Sequence, residues 1–168
     1  MRYLIADLHA GDKNIIEYYH RPFKNVDSMN NTLIANWNST VDNDDEVIIA
    51  GDIGDPKILY ELKGRKIIVC GNHDDYDKLH SMFPEIEISK HPILIDYMWI
   101  SHEPLTYLPK ECPYLNVHGH LHSLIYGQED RTWDGGCRYF NVSVEKIGYT
   151  PISEIQIKEM LTKGITSI

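Results

Sequence analysis

Five times along this chain a short apolar run breaks off into aspartate, asparagine or histidine. Leu4-Ile5-Ala6 leads into Asp7-Leu8-His9, Val47-Ile48-Ile49-Ala50 into Gly51-Asp52, and Ile67-Ile68-Val69-Cys70 into Gly71-Asn72-His73-Asp74. Further on, Tyr97-Met98-Trp99-Ile100-Ser101 is followed by His102, and Leu115-Asn116-Val117 by His118-Gly119-His120-Leu121-His122. Short aliphatic and aromatic runs bounded by glycine and polar residues read as buried strands. In α/β sheets, ligands bind beyond the carboxyl ends of the strands. The five ends are therefore expected to meet at one site. Glycines 51, 71 and 119 let the backbone turn just before a functional side chain.

The pattern predicts strands over 2–6, 46–50, 66–70, 92–96, 97–101, 114–118 and 138–144. A helix is predicted over 28–40, where Met29, Leu33 and Trp37 recur at i, i+4 on one face. A short helix is expected from Pro56 to Lys63, and another over 151–162, with Thr150 as N-cap and Pro151 in the first turn. Strands and helices alternate in the first half, and strands dominate the second. That order implies an α/β sandwich of mixed sheets covered by helices. The 168 residues, 42% of them hydrophobic and 24% charged, suit a single domain over 1–168.

A net charge of −9 argues against a broad polyanion-binding face, so long nucleic acid is an unfavoured partner. Carboxylates loaded with divalent cations would lose much of that charge. No apolar run approaches bilayer-spanning length. The opening Met1-Arg2-Tyr3-Leu4-Ile5-Ala6 enters a strand without the apolar segment and cleavage site of a signal peptide. A cytoplasmic protein without membrane contact is expected. Cys70, Cys112 and Cys137 are odd in number and lack a CxxC motif, so they read as buried free thiols.

Asp, Asn and His offer oxygen and nitrogen ligands to divalent first-row metals. Seven side chains of these types are more than one ion takes with positions left open for substrate. They fit two ions sharing a carboxylate. Such a pair, about 3.5–4 Å apart, clamps the attacking and leaving oxygens of an in-line displacement at phosphorus. Asp7 and His9, like His120 and His122, are spaced i, i+2, which on an extended strand puts both on one face.

The order D-x-H, GD, GNHD, a lone His and GHxH resembles the calcineurin-like metallophosphoesterase superfamily over residues 7 to 122. Asn14-Ile15-Ile16 followed by His20-Arg21-Pro22-Phe23 resembles a compact, phage-like branch of it. The resemblance implies a four-layer α/β/β/α sandwich with two mixed β-sheets. It implies that Asp7, His9 and His122 bind one metal, that Asp52 bridges, and that Asn72, His102 and His120 complete the second. A metal-bridging hydroxide would attack phosphorus. His73 would stabilise the phosphoryl oxygens or protonate the leaving alkoxide, with Asp74 orienting it. His118 is left over, on the same face by alternation, where it would support the ligands from behind.

The motif Gly51-Asp52-Ile53-Gly54-Asp55-Pro56 lacks the arginine that protein phosphatases of this superfamily carry there, which weakens a phosphoprotein substrate. Asp55 reads as supporting or structural, and Asp12 has no evident role. Arg21 could meet a substrate phosphate bidentately or make a surface salt bridge. Asn141 could line the rim or serve a turn. His20, His80 and His91 read as surface or satisfied core histidines, and Trp37, Trp99 and Trp133 as core or rim. The expected activity is hydrolysis of small phosphate esters, diesters favoured, with two divalent ions. Manganese leads, and Fe, Co, Ni or Zn are compatible. The competing class, a protein-binding scaffold on the same fold, is disfavoured because all seven ligand positions and His73 are present. The oligomeric state is not legible in the sequence.

Overall fold

The computed structural model describes residues 1–108, 114–123 and 138–162. In chain order the strands are β1 (Arg2–Ile5), β2 (Glu46–Ile49), β3 (Arg65–Val69), β4 (Glu87–Ser89), β5 (Ile93–Ile95), β6 (Met98–Ser101), β7 (Leu115–His118), β8 (Tyr139–Asn141) and β9 (Ile152–Ser153). The helices are α1 (Lys13–Tyr18), α2 (Val26–Thr40), α3 (Tyr76–Met82) and α4 (Glu154–Thr162), with a 3-10 turn at Pro56–Glu61.

Two mixed sheets form, as the sequence implies. One has the order β4-β3-β2-β1-β9, with β1 to β4 parallel and β9 antiparallel to β1. The other has the order β5-β6-β7-β8, with β6 to β8 parallel. Leu4, Ile5, Val47, Ile48, Ile49 and Ile68 are buried, so both faces of the central strands are covered, as parallel sheets require. Met98, Ile100, Val117 and Phe140 bring the second sheet into the same core. α3 packs on β4, and α4 on β9 and β1. No helix is described between β5 and β8.

The predicted face of α2 is the buried one: Met29, Leu33 and Trp37 all lie in the core. Each such side chain contributes about 1.5–3 kcal/mol by leaving water. A capping box starts the helix, with Asn25 Oδ1 accepting from Ser28 N at 2.8 Å and Ser28 Oγ accepting from Asn25 N at 3.2 Å. The short helices α1 and α3 are not foreshadowed by periodicity. Each is started by an aspartate cap, Asp12 on Asn14 N and Asp75 on Lys78 N.

Two predicted elements change. The last helix begins at Glu154 rather than Pro151, because Ile152 and Ser153 fill the free edge of β1 opposite Leu4 and Tyr3. Ser153 is the cap, and Gln156 answers it: Gln156 N donates to Ser153 Oγ at 3.2 Å and Ser153 N to Gln156 Oε1 at 2.9 Å. The strand predicted over 138–144 is also split. β8 ends at Asn141, and the following residues leave for the other sheet: Ala6 N donates to Val142 O at 2.9 Å, and Val144 N to Ala6 O at 3.1 Å. That junction fastens the sheets together where the functional loops emerge. Cys112, Cys137 and Trp133 lie outside the described residues. Among the described residues no helix is long and apolar enough to cross a membrane.

Candidate metal centre

Pairing between the first two strands continues past their ends. Asp7 N donates to Gly51 O, His9 N to Asp52 O and Ala10 N to Ile53 O, all near 3 Å. Within this continuation Asp7 (φ 59°), His9 (φ 48°) and Asp52 (φ 56°) are left-handed, as are His120 (φ 68°) and His122 (φ 48°) in the loop after β7. Asp and His tolerate this region better than most residues, yet such conformers cost of order 1–3 kcal/mol each and gather at functional sites. Extended-strand alternation is therefore not what brings Asp7 to His9, or His120 to His122. The strands end first, and left-handed turns aim the side chains.

Two of the glycines serve close approach rather than turning. A Cβ on Gly71 would lie 2.1 Å from Asp52 Oδ1, and one on Gly119 would lie 2.6 Å from Asp7 Oδ2. Neither has a positive φ.

The loops bring the seven candidate ligands together, five of them in two groups that share Asp7. Ligand atoms of Asp7, His9 and His122 lie within 4.8 Å of one another, and so do those of Asp7, Asp52 and His102. Asp52 Oδ2 stands between the groups, 3.3 Å from His9 Nε2 and 3.4 Å from His102 Nε2. On the far side Asn72 Oδ1 is 2.9 Å from His102 Nε2 and 3.1 Å from His120 Nδ1, and these two nitrogens are 3.2 Å apart.

The donor set fits divalent cations. His102 Nδ1–H donates to Ala50 O at 2.9 Å, so in the neutral ring Nε2 carries a lone pair. His102 Nε2, Asn72 Oδ1 and His120 Nδ1 thus converge within 2.9–3.2 Å of one another, a spacing that a cation among them would suit. Atoms about 2.0–2.2 Å from one ion stand about 3–3.5 Å apart. His9 Nε2 is buried without a hydrogen-bond partner, as a nitrogen reserved for a metal would be.

The carboxylates and histidines of the centre set one another's charge. Burial raises the Asp7 carboxyl above its ordinary value, and His122 and His102 offset only part of that. Burial also acts on Asp52, but its interactions with His102 and His9 prevail and hold it well below the usual carboxylate range. Burial alone would depress His102; the hydrogen bond it donates to Asp52 and the charges of Asp7 and Asp52 reverse this and lift it to about 9.

His73 is exposed beside the groups, its ring centroid 5.5 Å from that of His9 and its N–H donating to Asp52 Oδ1 at 3.0 Å. Asp74, expected to orient the His73 ring, is used otherwise. Its oxygens accept from Asp52 N, Ile53 N and Gly71 N at 2.8–2.9 Å, tying the β2 and β3 loops together. Arg21 also departs from expectation. It is neither on the surface nor available to a phosphate, because its side chain is fully buried and donates to Asp7 O and Leu8 O. His118 is a core histidine: Nδ1–H donates to Gly119 O, and burial pushes the ring down to about 4.

Asn141 holds the His122 backbone through its side-chain amide, and Asp55 caps the 3-10 turn as Asp12 caps α1. His20, His80 and His91 are exposed. Two residues at the centre went unseen in the sequence. Glu145 accepts from His122 Nδ1 at 2.9 Å, and Tyr19 stacks on the His122 ring with centroids 3.7 Å apart. Burial alone would raise Glu145, but His122 and Arg21 hold it below its ordinary value. No local motif marks either residue.

Residues 2–142 match the model of the calcineurin-like phosphoesterase superfamily domain. The uncharacterized protein MJ1445 of Methanocaldococcus jannaschii is 34% identical over 170 residues, spanning 96% of this chain and 92% of that protein. A solved structure, the protein of unknown function AQ665 from Aquifex aeolicus, is similar with a TM-score of 0.73 and 26% identity, over 95% of this chain and 98% of that one. The Pseudomonas putida nuclease MPE overlaps less, at a TM-score of 0.46 and 18% identity over 72% of this chain and 60% of that one, and carries no weight here. The family match takes in the ends of β1, β2, β3, β6 and β7 with every side chain they present, and on that ground the chain belongs to the calcineurin-like phosphoesterase superfamily.

Proposed function

We propose that this chain is a dinuclear-metal-dependent phosphoesterase acting on small phosphate esters, with phosphodiesters preferred. The observation that carries the reading is Asp52 Oδ2 standing between two ligand groups, 3.3 Å from His9 and 3.4 Å from His102. Divalent cations held there would supply a water-derived nucleophile near neutral pH and neutralise the phosphoryl oxygens. Manganese is the first ion to try among those that nitrogen and oxygen ligands accept.

The chain's own side chains do the rest. Asp7, His9 and His122 hold one half of the site, Asn72, His102 and His120 the other, and Asp52 belongs to both. His73 stands at the exposed side, tethered to Asp52 through its backbone. From there its imidazole N–H donates to a phosphoryl oxygen, or passes its proton to the departing alkoxide. A cleft of about 440 Å³ opens beside Asn72 and His102, walled by Pro92, Pro104 and Leu105 with Lys90 among its lining. That volume accepts the second ester substituent of a small diester.

The test is metal-stripped protein refilled with Mn²⁺ and given bis(4-nitrophenyl) phosphate, with 4-nitrophenyl phosphate and an Asp52→Asn variant alongside. Cleavage of the diester ahead of the monoester, lost in the variant, is expected. Failure on both esters with every divalent ion would overturn the reading and favour a scaffold.

A further inference from the structure

Behind the Asp7–His9–His122 group lies a buried ion pair that the proposed chemistry does not use. Arg21 Nε donates to Glu145 Oε1 at 2.8 Å, and the two side chains are 0% and 6% exposed. The same guanidinium donates through Nη2 to Asp7 O at 2.7 Å and through Nη1 to Leu8 O at 2.9 Å. Glu145 Oε1 also takes the Nδ1–H of His122 at 2.9 Å. One arginine thus holds the left-handed backbone of one candidate ligand directly and the ring of another through a carboxylate. Tyr19 closes the free face of that ring.

Stability alone is a poor reason for such a pair, since removing two charges from water costs several kcal/mol per ion and apolar replacements often do as well. Geometry is a better one. An imidazole ligates through one nitrogen, and the hydrogen bond made by the other decides which. Glu145 takes the Nδ1 proton and leaves Nε2 bare, 3.9 Å from Asp7 Oδ1. Glu145 lies beyond residues 2–142, outside the stretch matched to the superfamily. The His20-Arg21-Pro22-Phe23 stretch thereby gains a role: Arg21 faces inward, behind the ligands.

We infer that Arg21 and Glu145 are positioning residues for one half of the metal centre, fixing His122 as a ligand through Nε2 and Asp7 through its backbone. Cation affinity at that half depends on them, and affinity at the half built from Asn72, His102 and His120 does not. The inference rests on the metal-binding reading above.

Zn²⁺ titration by equilibrium dialysis tests it with the full chain. Wild type is expected to hold two equivalents. Glu145→Ala is expected to weaken one of them about 10–100-fold and leave the other unchanged. Glu145→Gln, which keeps an acceptor for Nδ1–H, falls between. Equal weakening of both ions, or of neither, in a variant that melts cooperatively overturns the inference while leaving the function standing. A wild type that binds no zinc overturns the function itself, and the inference with it. Should the variants fail to fold, long-range ¹⁵N correlation spectra of zinc-loaded wild type decide alone. The proton on His122 Nδ1 is the expected result, and a proton on Nε2 refutes the inference.

Discussion

Replacing Gly71 by alanine tests how the centre is held open. The new methyl would lie 2.1 Å from Asp52 Oδ1, 2.6 Å from Asp52 N and 2.8 Å from Asp52 Cγ. Ordinary carbon contacts begin at about 3.5 Å, so something must yield by more than an ångström. The carboxylate cannot swing aside freely, because Oδ1 accepts from His73 N and Oδ2 sits between His9 and His102. Overpacking of this kind costs about 1–3 kcal/mol, and in a chain of this size each kcal/mol lowers Tm by about 2–4 °C. Displacing a reacting or binding group by an ångström costs about a hundredfold in rate. The variant is therefore expected to fold, to melt several degrees lower without metal, to retain fewer than two ions after dialysis, and to cleave the diester about a hundredfold more slowly. Gly148→Ala is the control. Gly148 has a φ of +63° and open space for 4 Å around the place a Cβ would take, so alanine there brings backbone strain of about 1–2 kcal/mol and no clash. It should melt lower and keep both ions and full turnover. A Gly71→Ala protein with wild-type metal content and rate would refute the close-approach argument, as would an equal loss in Gly148→Ala.

Other outcomes follow from the same structure. Asp74→Ala leaves three backbone N–H groups of the β2 and β3 loops without their acceptor; thermal unfolding of metal-stripped protein should show a loss of about 3 kcal/mol, with Asp74→Asn losing less. Burial and the Asp74 charge push the Cys70 thiol up to about 11. Its alkylation at pH 8 in metal-stripped protein should run about a hundredfold slower than in the unfolded chain and keep rising beyond pH 9, read by mass mapping of its peptide. At Glu154 burial works upward, but Lys158, Tyr97 and Arg2 hold the carboxyl below its ordinary value. Its contribution, under about 1 kcal/mol for so partly exposed a group, is complete above about pH 4.3 and lost as pH falls through the lower folded value. Denaturant unfolding should thus separate wild type from Glu154→Gln at pH 7 and not in acid.

What the sequence made legible was local. A candidate ligand that directly follows its own strand is announced by the apolar run before it, and Asp7, Asp52, Asn72 and His102 could be read in that way. The mutual placement of Asp7, Asp52 and Asn72 needed only the rule that parallel strands open at one edge, whereas His102 arrives from the other sheet. Roles made by distant contacts were not legible. Arg21 reads as a surface cation until the carbonyls of Asp7 and Leu8 and the carboxylate of Glu145 are seen around it. Asp74 sits beside His73 in sequence, yet it is satisfied by backbone donors of another loop. Even the i, i+2 pairs come together for a reason the sequence hides, since strand periodicity stops before them and left-handed backbone takes over. The misplaced start of α4 has a similar cause: the free edge of β1 takes Ile152 and Ser153 before the helix can claim them.

The junction at Ala6 has a thermodynamic consequence. Asp7, His9, Asp52 and Asn72 extend from one sheet and His102, His120 and His122 from the other, so on the proposed reading any ion bound there is bound to both sheets at once. Docking of the sheets and metal occupancy then become one linked equilibrium. Free metal at a hundred times its dissociation constant adds about 2.7 kcal/mol to the docked state. On that reading a chelator would act on this protein as a mild denaturant, and the metal supply of its surroundings would set its lifetime as well as its turnover.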